Sequence, residues 1–271
     1  MKKIGFVDYY LSEWHANNYP KWIKEACEKL GADLSVEYAW AEIDVSPLDN
    51  VTSDEWCEKF GVKKCETLEE LCEKSDYILI LSPSNPEKHL SYAEAVLKYG
   101  KRTYIDKTFA PDLATAEKIF ELGKKYGTPF FSSSALRYAS ELSEIVAPTR
   151  VEITGGGSNP EEYIIHQIEM LVKCLGTGCD SLSLTKENNT VYASVSYPDQ
   201  RSASLKFEES LPFTVKATYK DGSTAEYSIN SPFFNYLIED IITFFESGRL
   251  SFNTEETLEV MKLRESFVNS L

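Results

Sequence analysis

The chain has 271 residues, 42% of them hydrophobic, which suits about two domains with buried cores. Its formal net charge of −15 excludes a nucleic-acid or anionic-membrane binder and leaves neutral ligands such as sugars or polyols as compatible partners. No apolar run reaches the roughly 20 residues of a membrane span, and the start, "MKKIGFVDYY", reads as a strand and not a signal peptide, so a soluble, cytoplasmic protein is expected.

The first half alternates strand-like and helix-like segments. Ile4 to Val7 is apolar and strand-like, and a helical pattern through Trp22, Ile23, Ala26 and Leu30 ends at Gly31, a suitable C-terminal cap. Leu34 to Trp40 reads as a second strand. Thr52 with Glu55, and Thr67 with Glu70, both match capping boxes that start short helices. "DYILILSPSN" is the continuous apolar run of a strand buried on both faces. Asn85-Pro86 then offers a helix start, and that helix runs to Gly100. An Arg102 to Ile105 strand, a further helix and the "TPFFSSS" strand complete the half. This alternation predicts an α/β, doubly wound parallel sheet of the Rossmann type over residues 1–132.

The second half, residues 133–271, changes character. "TRVEITGGG" is a strand ending in glycines, and a helix spans Pro160 to Leu175. Five period-2 runs follow, separated by turn signals such as Asn188-Asn189 and Asp221-Gly222. They predict a smaller α+β domain with a mainly antiparallel open sheet. Two helices, from Ser231-Pro232 and from near Asn253, close the chain, and the last is expected to be able to pack back on the first domain.

Six cysteines (Cys27, Cys57, Cys65, Cys72, Cys174, Cys179) lack paired CxxC spacing and read as reduced thiols, and no metal site is expected. Lys107 ends the Arg102 to Ile105 strand. Ligands of open α/β sheets bind past the carboxyl ends of the strands, where a lysine can serve as an acid or base. Of the three histidines, His15 and His89 follow strands. His166 shares one helical face with Glu162, Glu169 and Lys173. Glu162 is both a capping-box residue and a carboxylate four residues before His166, able to orient its ring. The run "DYYLSEWHANNYPKW" combines aromatic and hydrogen-bonding groups suited to a sugar ring.

Four motifs resemble the glucose–fructose oxidoreductase / inositol dehydrogenase (Gfo/Idh/MocA) family. "SPSNPEKH" is similar to its T-P-N-x-x-H loop, "DKTFA" to its E-K-P motif, "SSSALRY" to its linking strand, and "EYIIHQIEMLVKCLG" to its D-x-x-x-H-x-I-D helix. The resemblance implies NAD(P)-dependent oxidation of a sugar or polyol hydroxyl by a homodimer or homotetramer. It gives catalytic roles to Lys107, His166 and Glu162. It places Asp8, Tyr10, Ser82, Asn85, His89, Asp106 and Arg137 around the cofactor, NAD or NADP.

The family's first turn, G-x-G-x-x-G, is absent. "GFVDYYLSEWH" puts Asp8, Tyr10 and Glu13 (or Ser12) near the glycine positions, adding bulk at Tyr10 and negative charge at Asp8 and Glu13 where a pyrophosphate would lie. Thr108 replaces the motif proline, and Asp106 and Glu162 change side-chain length within the acidic class. Glu42 or Asp44, after the second strand, would favour NAD in the family pose. Two further readings stay open: a carbohydrate-binding or sensing protein that has lost the dinucleotide, and a non-redox proton-transfer enzyme.

Overall fold

The computed structural model describes residues 1–271 and divides into two compact units. The first comprises residues 1–132 and 237–251; the second comprises residues 133–236 and 252–271. The segment that joins the first unit from beyond residue 132 therefore belongs to the penultimate helix, and the last helix stays with the second.

The first unit holds a six-stranded parallel sheet in the order β3-β2-β1-β4-β5-β6. Its strands are β1 (Lys2–Asp8), β2 (Leu34–Ala41), β3 (Lys63–Lys64), β4 (Tyr77–Ile80), β5 (Thr103–Ile105) and β6 (Phe130–Phe131). Every residue of β4 is buried, as its unbroken apolar run requires. Gly5 lets helix α3 (Leu68–Lys74) close on β1. A Cβ there would lie 2.4 Å from Ser75 Oγ and 2.7 Å from Leu71 Cδ2.

Helix α1 (Trp14–Leu30) ends on Gly31 in the left-handed region, φ 67°. Helix α2 (Ser53–Phe60) carries the complete Thr52/Glu55 capping box. At α3 only half the box forms. Thr67 accepts from the Glu70 N–H, but Glu70 reaches the Glu66 N–H instead. Asn85 makes no side-chain cap, and a 3₁₀ turn precedes α4 (His89–Val96). Helix α5 (Leu113–Tyr126) starts on Asp112. Arg102 was expected to open β5, but its guanidinium donates to the Phe245 carbonyl on α7 (Phe233–Ser247). The α7 residues Phe244 and Phe245 also pack on Phe131 and Tyr77.

Register fixes the site. Val7 pairs with Trp40 and Ile80, and Ile80 pairs with Ile105. Asp8, Leu81 and Asp106 are the residues just beyond these pairs at the carboxyl edge, and Ser82, one residue further, donates its N–H to Asp8 at 3.1 Å. The order reverses direction between β1 and β4, the switch point at which open sheets of this type bind ligands.

The second unit is a six-stranded sheet in the order β12-β11-β7-β10-β9-β8. It comprises β7 (Arg150–Gly155), β8 (Ser181–Glu187), β9 (Thr190–Ser196), β10 (Ser202–Phe207), β11 (Thr214–Thr218) and β12 (Thr224–Ser228). Only the β7–β10 pair is parallel. One face, with Val151, Ile153, Ala193, Val195, Leu205 and Val215, forms a core with α6 (Pro160–Leu175) and α8 (Glu255–Val268). No helix in the chain is long and apolar enough to cross a membrane.

Candidate active site

Asp8, at the end of β1, is buried. Its Oδ1 accepts the N–H of Tyr9 at 2.7 Å and of Ser82 at 3.1 Å. Its Oδ2 is buried with no hydrogen-bond partner. Burial, and then the nearby charge of Glu13, push the Asp8 carboxyl well above the usual range. Ser82 also accepts from Tyr9 N–H through Oγ at 2.9 Å. Its φ of 58° lies in the left-handed region, which costs a non-glycine residue about 1–3 kcal/mol and is held by such surrounding bonds.

The first turn of α1 is closed by Glu13. Its carboxylate accepts the N–H of His15 at 2.8 Å and also that of Ala16. These are the free donors that make a helix N-terminus attract anions. Glu13 is buried, and burial raises its carboxyl against the opposing pull of His15. The His15 ring then bonds Asp106 through Nδ1 and stacks on Tyr19, centroids 5.3 Å apart.

Asp106 is buried at the end of β5. It also accepts from Tyr104 Oη–H at 3.1 Å and Lys107 N–H at 2.8 Å. Burial alone would raise its carboxyl. The His15 ring and the charge and N–H of Lys107 more than offset this and hold it below the usual range. Lys107 follows, half-buried, and its peptide bond to Thr108 is cis.

The remaining residues expected around the cofactor fall into different settings. Tyr10 is half-buried against Tyr9, ring centroids 5.9 Å apart. Asn85 is half-buried and donates to Glu87 at 3.1 Å. His89 was expected near the nicotinamide. It is instead completely buried, with Nδ1 on the Phe109 carbonyl at 3.0 Å and Nε2 on the Leu81 carbonyl at 2.7 Å. It ties the loop after β4 to the loop after β5, and burial lowers its pKa. Glu42, the residue placed to hold a ribose diol, already binds Lys88 Nζ and, at 2.8 Å, Tyr92 Oη–H. Asp44 accepts from Lys64 at 2.9 Å.

In the second unit, Arg137 is buried. It donates to Glu169 at 3.1 Å and to Glu256, and its guanidinium lies 4.1 Å from the Phe252 ring centroid. Arg137, expected near the nicotinamide, is part of a buried charge network. Burial raises Glu169, against the opposing effect of Arg137. His166, on the same helix, is buried, and its Nδ1 meets Ser134 Oγ at 2.6 Å. Ser134 thus holds one nitrogen of the ring that Glu162 was expected to orient. Glu162 is half-buried, and its N–H is capped by Asn159 Oδ1 at 3.0 Å. Glu13 as a cap, the His15–Asp106 pair and the Ser134–His166 contact were the site features not read from the sequence. The Glu13 cap alone had a local signal, an acceptor side chain directly before the helix.

The fold is a Rossmann-type parallel-sheet unit followed by a unit with a mainly antiparallel sheet. Residues 44–133 match the sequence model of the Gfo/Idh/MocA family, an oxidoreductase family with an NAD-binding Rossmann fold. This match and the shared two-domain fold bear out the resemblance carried by the four motifs. No curated protein matches the chain significantly. Among solved structures, the dehydrogenase MviM from Clostridium difficile aligns with TM-score 0.75 at 16% identity, covering 100% of this chain and 99% of that one. UDP-N-acetylglucosamine 3-dehydrogenase GnnA from Acidithiobacillus ferrooxidans aligns with TM-score 0.77 at 10% identity, covering 100% and 97%. Biliverdin reductase from Synechocystis sp. PCC 6803, solved with biliverdin and NADP+, aligns with TM-score 0.70 at 14% identity, covering 99% and 98%.

The matched family description supports a nicotinamide dinucleotide as the group held by this fold. The residues after β1 do not fit the pyrophosphate of such a group in the standard pose. The four N–H donors of Tyr9, Ser82, His15 and Ala16 are taken by the chain's own carboxylates.

Proposed function

We propose that the chain is an oxidoreductase of the Gfo/Idh/MocA type acting on a sugar or polyol hydroxyl, with Lys107 as the group that moves the hydroxyl proton. The observation that carries this reading is the placement of Lys107. It sits directly beyond β5, half-buried, with its backbone N–H on the buried Asp106 carboxylate. A lysine so placed contributes about 10² to 10⁴ in rate as a general acid or base. His166 is the further acid–base residue, its Nδ1 held by Ser134. Glu162 keeps a supporting role on the same helix. The sugar class is supported by the UDP-N-acetylglucosamine dehydrogenase among the structural neighbours and by the acidic surface, which suits neutral ligands. A dinucleotide, NAD or NADP, would serve as hydride acceptor when bound in a pose displaced from the amino end of α1, where Asp8 and Glu13 already hold the N–H groups.

The Glu13 cap favours a second reading: a carbohydrate-binding or sensing protein that holds no dinucleotide. A panel of sugars and polyols, followed by NMR with and without NAD and NADP, separates the two. Turnover only with a dinucleotide supports the oxidoreductase. Sugar binding without turnover supports the second reading. Full turnover by Lys107→Ala contradicts the first.

A further inference from the structure

We propose that the Asp8 and Glu13 carboxyl groups fill the phosphate cradle of the fold, so that the first unit rejects pyrophosphate-bearing ligands at the amino end of α1. The inference goes beyond the proposed reaction and concerns which ligands the switch point of the sheet admits. Three independent features carry it. The Glu13 carboxylate occupies the N–H groups of His15 and Ala16. The Asp8 carboxyl group occupies those of Tyr9 and Ser82, and its Oδ2 stays buried with no hydrogen-bond partner. The carboxylate after β2, Glu42, is held by Lys88 and Tyr92. All three anchoring points used for dinucleotides on such sheets are therefore satisfied from within the chain.

A helix N-terminus with free N–H groups favours an anion. Here the anion is supplied at position 13, under cover of a buried side chain, so an incoming phosphate would meet two carboxylates and no free donor. The buried setting weakens screening by salt, which makes the exclusion persist at physiological ionic strength. The same geometry leaves neutral, donor-rich ligands such as polyols unopposed, because a hydroxyl can donate to a carboxylate where a phosphate oxygen cannot.

The test is calorimetric titration of the full chain with ADP-ribose, which carries the pyrophosphate and ribose but no nicotinamide. Three proteins are compared: wild type, Glu13→Gln, and Asp8→Asn/Glu13→Ser. The Gln side chain keeps the shape of Glu13 without its charge, and Ser keeps a capping hydroxyl. Circular dichroism and thermal unfolding confirm that each is folded. The expected result is binding at least about tenfold tighter in a folded neutral variant than in wild type, since one like-charge contact at close range opposes binding by more than that. Micromolar binding by wild type, or folded variants that bind no better than wild type, overturns the inference. Absence of sugar turnover would instead count against the proposed reaction and leaves this result standing.

Discussion

The Glu13 carboxylate accepts the backbone N–H of His15 at 2.8 Å, while the His15 ring turns to bond Asp106 through Nδ1. One residue closes the helix to anions, and the next links α1 to the carboxyl end of β5. A loop that serves a phosphate in related folds here joins two strand ends through buried acidic groups.

The His15–Asp106 pair should couple strongly in stability. A double-mutant cycle with His15→Gln and Asp106→Asn, followed by urea unfolding, should give an interaction of about 1–3 kcal/mol, the range for residues in one hydrogen-bonded network. Additivity of the two changes would show that the contact holds nothing together.

Asp8 should impose a pH dependence. Its folded pKa lies well above the usual value, because burial and then Glu13 disfavour the charged form. The folded state therefore holds a proton that the unfolded chain gives up at lower pH. The resulting stability is fully present below the usual carboxylate range and is lost as pH rises through the raised value. Glu13, also raised, acts with the same sign, while the Asp106 carboxylate is already ionised over this range. Melting temperatures from pH 4 upward should fall less steeply for Asp8→Asn than for wild type; parallel curves would remove Asp8 as the cause.

Arg137 should prove to be a stability residue. It is buried between the buried Glu169 and the partly exposed Glu256, so Arg137→Ala leaves the buried Glu169 carboxylate without its charge partner and should cost about 3–5 kcal/mol. Replacing Arg137 and Glu169 together by Met should recover most of the loss in a denaturant titration. No recovery would mean that charge pairing is not the source.

Lys107→Ala should lower turnover by about 10² to 10⁴ while leaving the unfolding transition in place. Lys107→Arg should not restore it, because guanidinium does not give up its proton near neutral pH.

Much of this molecule is legible in its sequence, and the limits have physical causes. The all-apolar β4, the Gly31 cap and the Pro160–Leu175 helix follow from local pattern and local chemistry. The two-residue β3 has no pattern long enough to read, and the Arg102 guanidinium meets a carbonyl on a helix distant in sequence, a contact no local pattern reveals. The place of Lys107 directly beyond β5 was legible because the short strand and the helix after it both carry local patterns. The contacts of His89 were not legible, because a histidine after a strand reads the same whether its nitrogens face a ligand or, as here, two backbone carbonyls. The Ser134–His166 contact joins residues on separate elements, a pairing that spacing along one helix cannot reveal.

The most direct measurement follows the backbone amide signals of Tyr9, His15, Ala16 and Ser82 in the ¹⁵N-labelled wild-type chain during titration with NADH. A cradle filled by Asp8 and Glu13 predicts that these four signals stay in place up to about 1 mM NADH, the upper end of ordinary substrate affinities. Saturable, concerted shifts of the His15 and Ala16 amides at micromolar NADH would contradict it.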